Sequence, residues 1–426
     1  MKITKQGKQN TLFNITKGFW PLFFVCCLSV IIIYSSQSLA QTTNETNLNL
    51  QSIAQTSSAP IEVPVIEAKA YILMDASNGQ VLAEYNADMK LAPASLTKIM
   101  TSYVVGQFLA KGQIANEDIV TVSKNAWVQG NPELKGSSLM FLEPNQRVSV
   151  LDLNLGLVVQ SGNDAAIALA EHVSGSQEKF IQLMNEYSVQ MGLVNTHFKT
   201  VHGLDMDGQF STARDMALLS KALIKDLPEE YKLNSIKEFT YGKIKQMNRN
   251  RLLWSDTLKV DGLKTGHTSG AGYNLVSSAY DDTGMRLIAV VLGTESDKKR
   301  FSESEKLLSF GFRAFETRTL AKAGTVLSKQ PIWYGAQNEV ELGLSEDAVL
   351  TFPRGQANQL RATQTLSQTV LEAPLNQGQE VGKVVFKIGE TVIAEKPLVV
   401  LKAVEQGGFF SRLWDFIVLT VSGWFS

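Results

Sequence analysis

The spacing of apolar residues predicts a buried helix that begins at Pro93. Proline is favoured in the first turn of a helix, because the N–H group that it lacks would have no partner there. The apolar positions that follow recur every three or four residues, which is the period of one helix face: Leu96, Ile99, Met100, Tyr103, Val104 and Phe108. Two more mostly apolar helices are expected, from Val150 towards Val159 and from Asp164 to Val173.

Shorter apolar runs on both sides of these helices predict β-strands. Residues 71–74 form one such run, Asn78-Gly79 suits a tight hairpin turn, and residues 80–85 can return beside the first strand. Two further strands are expected later in the chain, at residues 274–279 and 286–292. Because strands and helices are interspersed, we predict a mixed α/β domain over residues 62–315.

The pattern changes after residue 318. Residues 339–342 alternate polar and apolar side chains, and 398–401 form a buried-strand run. The runs at 383–388 and 391–394 flank a Gly-Glu pair that is typical of a hairpin turn. No long helical period occurs there, so we predict a small all-β domain over residues 319–404.

The C-terminal segment, residues 408–426, has the pattern of an amphipathic helix that lies in a membrane interface. Its apolar residues fall on one side of a helical wheel: Phe409, Phe410, Leu413, Trp414, Phe416, Ile417, Val418, Val421, Trp424 and Phe425. A helix docked on the protein's own core or on a partner is the alternative. A membrane-spanning helix fits less well, because about 18 residues reach only roughly 27 Å and would carry a polar face into hydrocarbon.

Residues 1–40 have the features of a secretory signal peptide that is cleaved near Ala40. Four lysines without an acidic residue accompany an apolar run from Phe19 to Tyr34, and small residues precede the cleavage point. A retained membrane anchor is the alternative, although the run is shorter than the roughly 20 residues that a span needs. Residues 41–61 are polar and are expected to form a flexible lead-in.

Composition excludes several classes of protein. The 426 residues carry a formal net charge of −1, which gives no indication of a nucleic-acid partner. Cleavage near Ala40 would remove both cysteines, Cys26 and Cys27, so disulfide scaffolds, cysteine nucleophiles and cysteine-rich metal sites are not expected. The four histidines lack metal-ligand spacing, and no H-E-x-x-H or G-x-S-x-G motif occurs. We therefore expect no metal and no cofactor.

Three short motifs indicate serine-based chemistry. S-x-x-K occurs at residues 95–98, S-G-N at 161–163 and K-T-G at 264–266, with His267 and Thr268 directly after it. A closely similar set is found in class A β-lactamases and penicillin-binding proteins. One such tripeptide is uninformative, whereas all three in this order predict an enzyme with a serine nucleophile.

Ser95 and Lys98 can form the reacting pair. A serine hydroxyl is a weak nucleophile until a base removes its proton, and residues three apart share one face of a helix. To act as that base, Lys98 needs its pKa lowered by about 3 units, or roughly 4 kcal/mol. Burial and the like charge of Lys264 can supply this shift. The resulting hypothesis is that Lys98 is neutral and Lys264 charged in the working enzyme.

The other motif positions suggest substrate contacts. Asn163 can bind a substrate amide, and Ser161 can relay a proton to the leaving group. Gly266 would let a substrate backbone approach the strand closely, and Thr265 and Thr268 offer hydroxyl groups to a carboxylate. The backbone N–H groups of Ser95 and His267 are candidate oxyanion donors. His202, beside Gly203, either lines the site or has a structural role.

The chain resembles the low-molecular-weight penicillin-binding proteins, specifically the D-alanyl-D-alanine carboxypeptidases of the 5/6 group in peptidase family S11. The stretches at 93–100 and 260–268 carry the resemblance. It implies a β-lactamase/transpeptidase-like domain with an antiparallel sheet flanked by helices, a β-rich second domain, and a tail on the periplasmic face of the bacterial inner membrane.

The same resemblance implies a function. Ser95 would form an acyl-enzyme with a peptidoglycan pentapeptide and release its terminal D-alanine, and β-lactam antibiotics would bind covalently. Lys98 would be the general base, Ser161 and Asn163 would assist, and Lys264 with its strand would bind substrate. Arg249 and Arg300 appear at the positions that hold or support the substrate carboxylate. The tail is less basic than the resemblance implies, since Arg412 is its only basic residue.

Three other functions remain open at this stage. A class A β-lactamase needs an acidic residue in E-x-x-L-N, and residues 230–234 match this pattern. That stretch lies late between the second and third motifs, and S-G-N replaces S-D-N, so we interpret it as coincidence. An endopeptidase acting on wall cross-links and a non-catalytic scaffold that binds wall peptides are the others.

Overall fold

The computed structural model describes residues 61–423. The predicted signal peptide at 1–40, all but the last residue of the predicted lead-in at 41–61, and Trp424 and Phe425 lie outside the described residues. The helices are α1 Thr97–Ala110, α2 Val150–Leu155, α3 Asn163–Ser174, α4 Gln177–Gln190, α5 Ala213–Asp226, α6 Pro228–Lys232, α7 Asp297–Ala314 and α8 Phe409–Gly423.

The strands include the predicted hairpin and extend through the C-terminal part of the chain. They are β1 Ala70–Asp75, β2 Val81–Tyr85, β3 Ile119–Thr121, β4 Arg147–Ser149, β5 Glu238–Tyr241, β6 Ile244–Met247, β7 Lys259–Thr268, β8 Gly272–Tyr280, β9 Arg286–Thr294, β10 Phe315–Ala321, β11 Val326–Trp333, β12 Glu339–Gly343, β13 Ala348–Pro353, β14 Leu360–Leu366, β15 Leu371–Glu372, β16 Glu380–Ile388 and β17 Thr391–Val400.

A five-stranded antiparallel sheet forms the centre of the first compact unit, in the order β2-β1-β9-β8-β7. Successive side chains of a strand point to opposite faces, so each central strand contributes to two cores. Ile72 and Val290 join one core with α1, α3 and α5. Leu73 and Val291 join the other, which α7 covers. The predicted α/β domain with an antiparallel sheet flanked by helices is confirmed.

Helix α1 is buried on every side rather than on one face. Every residue from Thr97 to Gly106 is buried, which is the pattern of a helix surrounded by core. The predicted apolar stripe is present, but the helix also carries Lys98 into the interior. The position of the reactive lysine therefore follows from the packing of the whole helix.

Two compact units divide the described chain. The first unit contains the residues through Ala321 and also Asp347–Leu360; the second contains Lys322–Glu346 and everything from Arg361 onward. The chain returns to the first unit because β13 pairs with β10. Asp75 at the end of β1 is fully buried and accepts hydrogen bonds from the hydroxyls of Thr351 at 2.8 Å and Thr317.

The second unit is rich in β-structure. Its six-stranded sheet has the order β14-β16-β17-β12-β11-β15. Strands β16 and β17 pair in antiparallel fashion around Gly389, as the sequence predicts. Helix α8 follows, and Asp415 on its polar face accepts a 2.7 Å hydrogen bond from the backbone N–H of Tyr334.

The apolar side chains of α8 point into solvent. Phe410 is 83% exposed and Trp414 60% exposed, and the others that stand out are Phe409, Leu413, Phe416 and Ile417. The alternative of a helix that buries this face in the protein's own core does not describe the structure. Among residues 61–423, no helix combines the length and hydropathy that crossing a bilayer requires.

Candidate active site

The nucleophile candidate lies in a tight turn before α1. Ser95 is in the 3₁₀ turn Ala94–Leu96, which Pro93 precedes and α1 continues. Ala94 has a φ of +50°, in the left-handed region. The expected helix start at Pro93 is thus shifted by one short turn, which leaves Ser95 half-buried while Lys98 is almost fully enclosed.

Three oxygen atoms surround the amino group of Lys98. Its Nζ donates to the Oγ of Ser95 at 3.2 Å, to the Oδ1 of Asn163 at 2.6 Å and to the carbonyl oxygen of His202 at 2.7 Å. The structure therefore brings the first two motifs into direct contact. It also adds a residue, His202, whose role the sequence leaves open.

Burial lowers the pKa of Lys98 to about 7. Two charges modify this effect: the carboxylate of Asp164 raises the pKa and the guanidinium of Arg249 lowers it. An ordinary lysine would be protonated at neutral pH, whereas Lys98 exists there as a mixture of ammonium and free amine.

Lys264 has a different environment from the one that the sequence suggests. Burial, the charge of Lys98, and the charges of Arg249 and Arg300 lower the pKa of Lys264 well below its ordinary value. Its Nζ donates to the carbonyl of Thr265 at 3.2 Å, whereas Lys98 has three acceptors. The hypothesis of a charged Lys264 beside a neutral Lys98 therefore does not hold for this arrangement by itself, because the three acceptors favour the proton on Lys98.

Ser161 occupies a strained backbone position. Helix α2 ends at Leu155, where the sequence predicts continuation to about Val159, and a wider π-type turn over Gly156–Gln160 follows. Ser161 ends that turn with a φ of +67°. Its hydroxyl is buried and has no hydrogen-bond partner in the described part of the chain. A buried, uncommitted hydroxyl at a strained position is typical of a functional site.

Strand β7 carries the third motif along the edge of the sheet. Thr265 is buried. A Cβ atom on Gly266 would lie 3.0 Å from the carbonyl oxygen of Pro93 and 3.3 Å from the backbone nitrogen of Leu96. This glycine lets the strand pack against the turn that holds Ser95, and the predicted close approach of a substrate backbone stays a prediction.

The two residues after K-T-G lie at the rim of the site. The hydroxyl of Thr268 donates to Asp205 at 2.8 Å and accepts from the N–H of Ala271. The expected contact from Thr268 to a carboxylate stays a prediction. His267 is exposed, and its ring lies 4.1 Å from the ring of Tyr273.

The two arginines have separate positions. Arg249 is exposed, and its Nε donates to the carbonyl of Gln160, next to Ser161. Arg300 is 7% exposed; its Nη1 donates to the carbonyl of Gly266 at 3.2 Å, and its Nη2 pairs with Asp297. Arg300 therefore stabilises the K-T-G strand through its backbone at Gly266.

Sequence reasoning missed several residues that shape the site. Gly203 has a φ of +90°, and a Cβ atom there would lie 1.8 Å from the carbonyl oxygen of Ala94. Asp164 is buried and accepts from the backbone N–H groups of Met140 and Leu142. These contacts join segments that are far apart in sequence, although the His-Gly pair at 202–203 is a usable signal.

His202 is held as a neutral imidazole. Burial and the charge of Lys98 lower its pKa to about 3, and its Nδ1 accepts a hydrogen bond from the N–H of Leu204. Its backbone oxygen, rather than its ring, contacts Lys98. Within the described ranges, no group of three or more His, Cys, Asp or Glu residues is arranged to hold a metal ion.

Comparison with family models gives two matches. The model described as D-alanyl-D-alanine carboxypeptidase, peptidase family S11, matches residues 54–296. The model described as the C-terminal domain of penicillin-binding protein 5 matches residues 315–406.

Individual proteins are similar over most of the chain. D-alanyl-D-alanine carboxypeptidase DacC of Escherichia coli strain K12 is 58% identical over 365 residues, which cover 86% of this chain and 91% of that protein. DacA of the same strain is 50% identical over 363 residues, covering 85% of this chain and 90% of that protein. A crystal structure of penicillin-binding protein 5 from Haemophilus influenzae matches with a TM-score of 0.79 and 49% identity, covering 81% of this chain and all of that one. The predicted transpeptidase-like fold with a second β domain is confirmed.

Proposed function

The chain belongs to peptidase family S11, the D-alanyl-D-alanine carboxypeptidases, and we propose that Ser95 is the nucleophile with which it removes the terminal D-alanine from peptidoglycan pentapeptides. One observation carries the assignment of roles. The Nζ of Lys98, with its pKa lowered to about 7, lies 3.2 Å from the Oγ of Ser95 in an enclosed site. A neutral amine at that distance can accept the serine proton.

Acylation begins with proton transfer and ends with the departure of D-alanine. Lys98 accepts the proton of Ser95, and Oγ attacks the carbonyl carbon of the penultimate D-alanine. The peptide C–N bond breaks, and the departing amine of D-alanine receives a proton that Ser161 relays from Lys98. The unpartnered hydroxyl of Ser161 supports this relay. Backbone N–H groups of Ser95 and His267 would stabilise the oxyanion.

Hydrolysis of the ester completes the cycle. Water attacks the acyl carbon, the C–O bond to Ser95 breaks, and the serine regains its proton. The products are a tetrapeptide stem with a free carboxylate and regenerated enzyme.

The positive side of the pocket suits the carboxylate of the substrate. Lys264 and Arg249 supply charge there, while Arg300 supports the strand through Gly266. A bound carboxylate stabilises the ammonium of Lys264, and the resulting positive charge disfavours a proton on Lys98. Substrate binding would in this way produce the charge distribution that catalysis needs.

Labelling with a fluorescent penicillin tests the nucleophile. The wild-type protein should form a covalent adduct that survives denaturing electrophoresis, and Ser95→Ala should not. A labelled Ser95→Ala protein would exclude Ser95, and an unlabelled wild type would favour the non-catalytic scaffold. Rapid release of hydrolysed penicillin would favour a β-lactamase instead.

Product analysis tests the substrate. Purified pentapeptide wall fragments should release free D-alanine, whereas cross-linked fragments should be left joined. Cleavage of the cross-linked fragments at a comparable rate would favour the endopeptidase alternative.

Helix α8 is the proposed membrane contact. Its exposed aromatic face suits the boundary between headgroups and acyl chains, while Asp415 holds its polar face to the β unit through Tyr334. This arrangement would place the enzyme on the periplasmic face of the inner membrane, after cleavage of the signal peptide near Ala40.

Sedimentation with lipid vesicles tests the membrane contact. The mature protein should sediment with neutral vesicles, and high salt should change this little, because Arg412 is the only base in the tail. Trp414→Glu should abolish sedimentation, whereas Ser411→Glu on the polar face should not. Equal sedimentation of the two variants would exclude α8 as the contact.

A further inference from the structure

A buried carboxylate lies between the helix that carries Lys98 and the helix that leads towards the S-G-N motif. Glu230 of α6 is 6% exposed. Its Oε1 accepts a hydrogen bond from the hydroxyl of Ser102, and its Oε2 accepts one from the Nδ2 of Asn154 at 2.7 Å. None of the described ion pairs includes Glu230, so the two hydrogen bonds are its polar contacts.

Each partner of Glu230 stands next to a motif. Ser102 lies one helical turn beyond Lys98 on α1. Asn154 is in the last turn of α2, from which the chain runs through Gly156–Gln160 to Ser161. A change in the bridge would therefore move two of the reacting groups relative to each other.

Close packing reinforces the bridge to α1. A Cβ atom on Gly106 would lie 2.9 Å from the Cδ1 of Leu227 and 3.0 Å from the Cγ of Glu230. Ser102 and Gly106 are four residues apart and share a helix face. The bare backbone at Gly106 lets Glu230 reach Ser102.

Tyr231, the residue after Glu230, connects the same helix to β7. Tyr231 is also 6% exposed, and its hydroxyl donates to the carboxylate of Asp261, which forms a two-contact ion pair with Arg286. A Cβ atom on Gly262 would lie 2.8 Å from the Tyr231 oxygen. Asp261 and Gly262 belong to β7 and lead directly to Lys264.

We infer that Glu230 and Tyr231 are positioning residues that set the spacing of the S-x-x-K, S-G-N and K-T-G elements. Neighbouring side chains of one short helix hold α1, the end of α2 and the start of β7. Because acyl transfer depends on sub-ångström placement of base, nucleophile and donors, loss of this link slows acylation without removing a group that touches substrate. This inference rests on the proposed function of Ser95.

A direct catalytic role for Glu230 conflicts with the geometry. Both carboxylate oxygens are occupied by Ser102 and Asn154 within the core, so neither can activate a water molecule at Ser95. The match of residues 230–234 to E-x-x-L-N is therefore explained by packing and not by the deacylation chemistry of a β-lactamase.

Glu230→Ala, Glu230→Gln and Tyr231→Phe test the inference, with Asp215→Ala as the matched control. Asp215 is likewise buried and accepts hydrogen bonds from Asn195 and Thr196, which lie outside the three motifs. The measurement is stopped-flow acylation by a fluorescent penicillin, which separates the dissociation constant of the first complex from the acylation rate constant. Thermal unfolding establishes that each variant is folded at the assay temperature.

We expect Glu230→Ala to lower the acylation rate constant by a factor of about 10 to 100 with an unchanged dissociation constant. Tyr231→Phe should lower it less. Glu230→Gln should stay close to wild type, because its amide oxygen can accept from Ser102. Its amide nitrogen can donate to the Oδ1 of Asn154 once the Asn154 amide flips, and that oxygen has no partner to lose in the described part of the chain. Asp215→Ala should lose stability and keep the wild-type rate.

Two results would overturn the positioning role. One is a wild-type acylation rate in folded Glu230→Ala. The other is an equal loss in Asp215→Ala, which would mean that general destabilisation is the cause. An unlabelled wild-type protein would instead refute the proposed function, so the two failures are distinguishable.

Discussion

The amide oxygen of Asn163 lies 2.6 Å from the Nζ of Lys98, closer than the Oγ of Ser95 at 3.2 Å. The amide orients the lysine and, as a neutral acceptor, leaves its charge free to change. A carboxylate at the same position would instead stabilise the ammonium form.

Asn163→Asp should therefore move the pH dependence of acylation. In the wild type, the rate should rise with pH around an apparent pKa of about 7, as Lys98 loses its proton. In the variant, the added negative charge should move this rise upward by about 1 to 3 pH units. Acylation rates between pH 5 and pH 10 give the comparison, and an unmoved profile would exclude Lys98 as the titrating base.

Ser161→Ala should reduce activity without reducing stability. The Ser161 hydroxyl is buried without a partner, and burying an unsatisfied polar group costs about 1–3 kcal/mol. Its removal should leave the free energy of unfolding unchanged or higher, while loss of proton transfer lowers acylation by a factor of about 10² to 10⁴.

Ser188→Ala is the control for that variant. Ser188 is equally buried, but its hydroxyl donates to the carbonyl of Met184 at 2.9 Å and lies outside the motifs. It should lose some stability and acylate normally. A marked loss of stability in Ser161→Ala would show that its hydroxyl has a partner after all.

Gly203→Ala should disrupt the nucleophile turn. The new Cβ atom would lie 1.8 Å from the carbonyl oxygen of Ala94, so the turn before Ser95 has to move. We expect a loss of about 3 kcal/mol in the free energy of unfolding and little acylation. Chemical denaturation and penicillin labelling measure the two effects.

Gly208→Ala separates the clash from backbone strain. Gly208 also has a positive φ, +81°, but a Cβ atom there would only meet the Cε of Lys199, at 3.5 Å. This variant should lose about 1 kcal/mol and keep its activity. If the two glycine variants behave alike, contact with Ala94 is not the reason for the glycine at 203.

The stability of the wild type should fall as pH rises from about 4.5 to about 7, in part because of Glu230. Burial raises the pKa of Glu230 to about 7, and the hydrogen bonds from Ser102 and Asn154 oppose this shift. The folded state holds the proton of Glu230 more tightly than the unfolded state does. The contribution of Glu230 to the free energy of unfolding is therefore fully present below about pH 4.5 and is lost as pH rises towards 7. The full difference is roughly 3 kcal/mol. In Glu230→Gln, this part of the dependence of unfolding on pH should disappear.

The elements nearest the motifs could be predicted because their signals are local. Helix α1 follows from the periodic apolar residues after Pro93, and β8 and β9 follow from continuous apolar runs. The hairpin of β16 and β17 follows from its turn residues. Where the local signal is weak, the predicted and observed boundaries differ. Helix α2 ends before the predicted position, because a π-type turn that no periodicity indicates begins at Gly156.

Contacts between distant segments could not be predicted in this way. Glu230 is 128 residues from Ser102 and 76 from Asn154, and no pattern in one sequence relates them. The same limit applies to Gly266 and Thr268, because their neighbours, Pro93 and Asp205, come from other parts of the chain. Residue type predicts the reactions a site can perform, and packing decides which residue performs them.

The contact between Gly266 and the carbonyl of Pro93 also limits how such an enzyme could escape an antibiotic. With no side chain between them, the K-T-G strand packs directly against the turn that holds Ser95, so a displacement of one should displace the other. A mutation that excluded the drug by displacing the strand would also misplace the attacking oxygen for the natural wall peptide. Resistance by this route would also inactivate the bacterium's own enzyme, so faster hydrolysis of the drug-derived ester is the more accessible change.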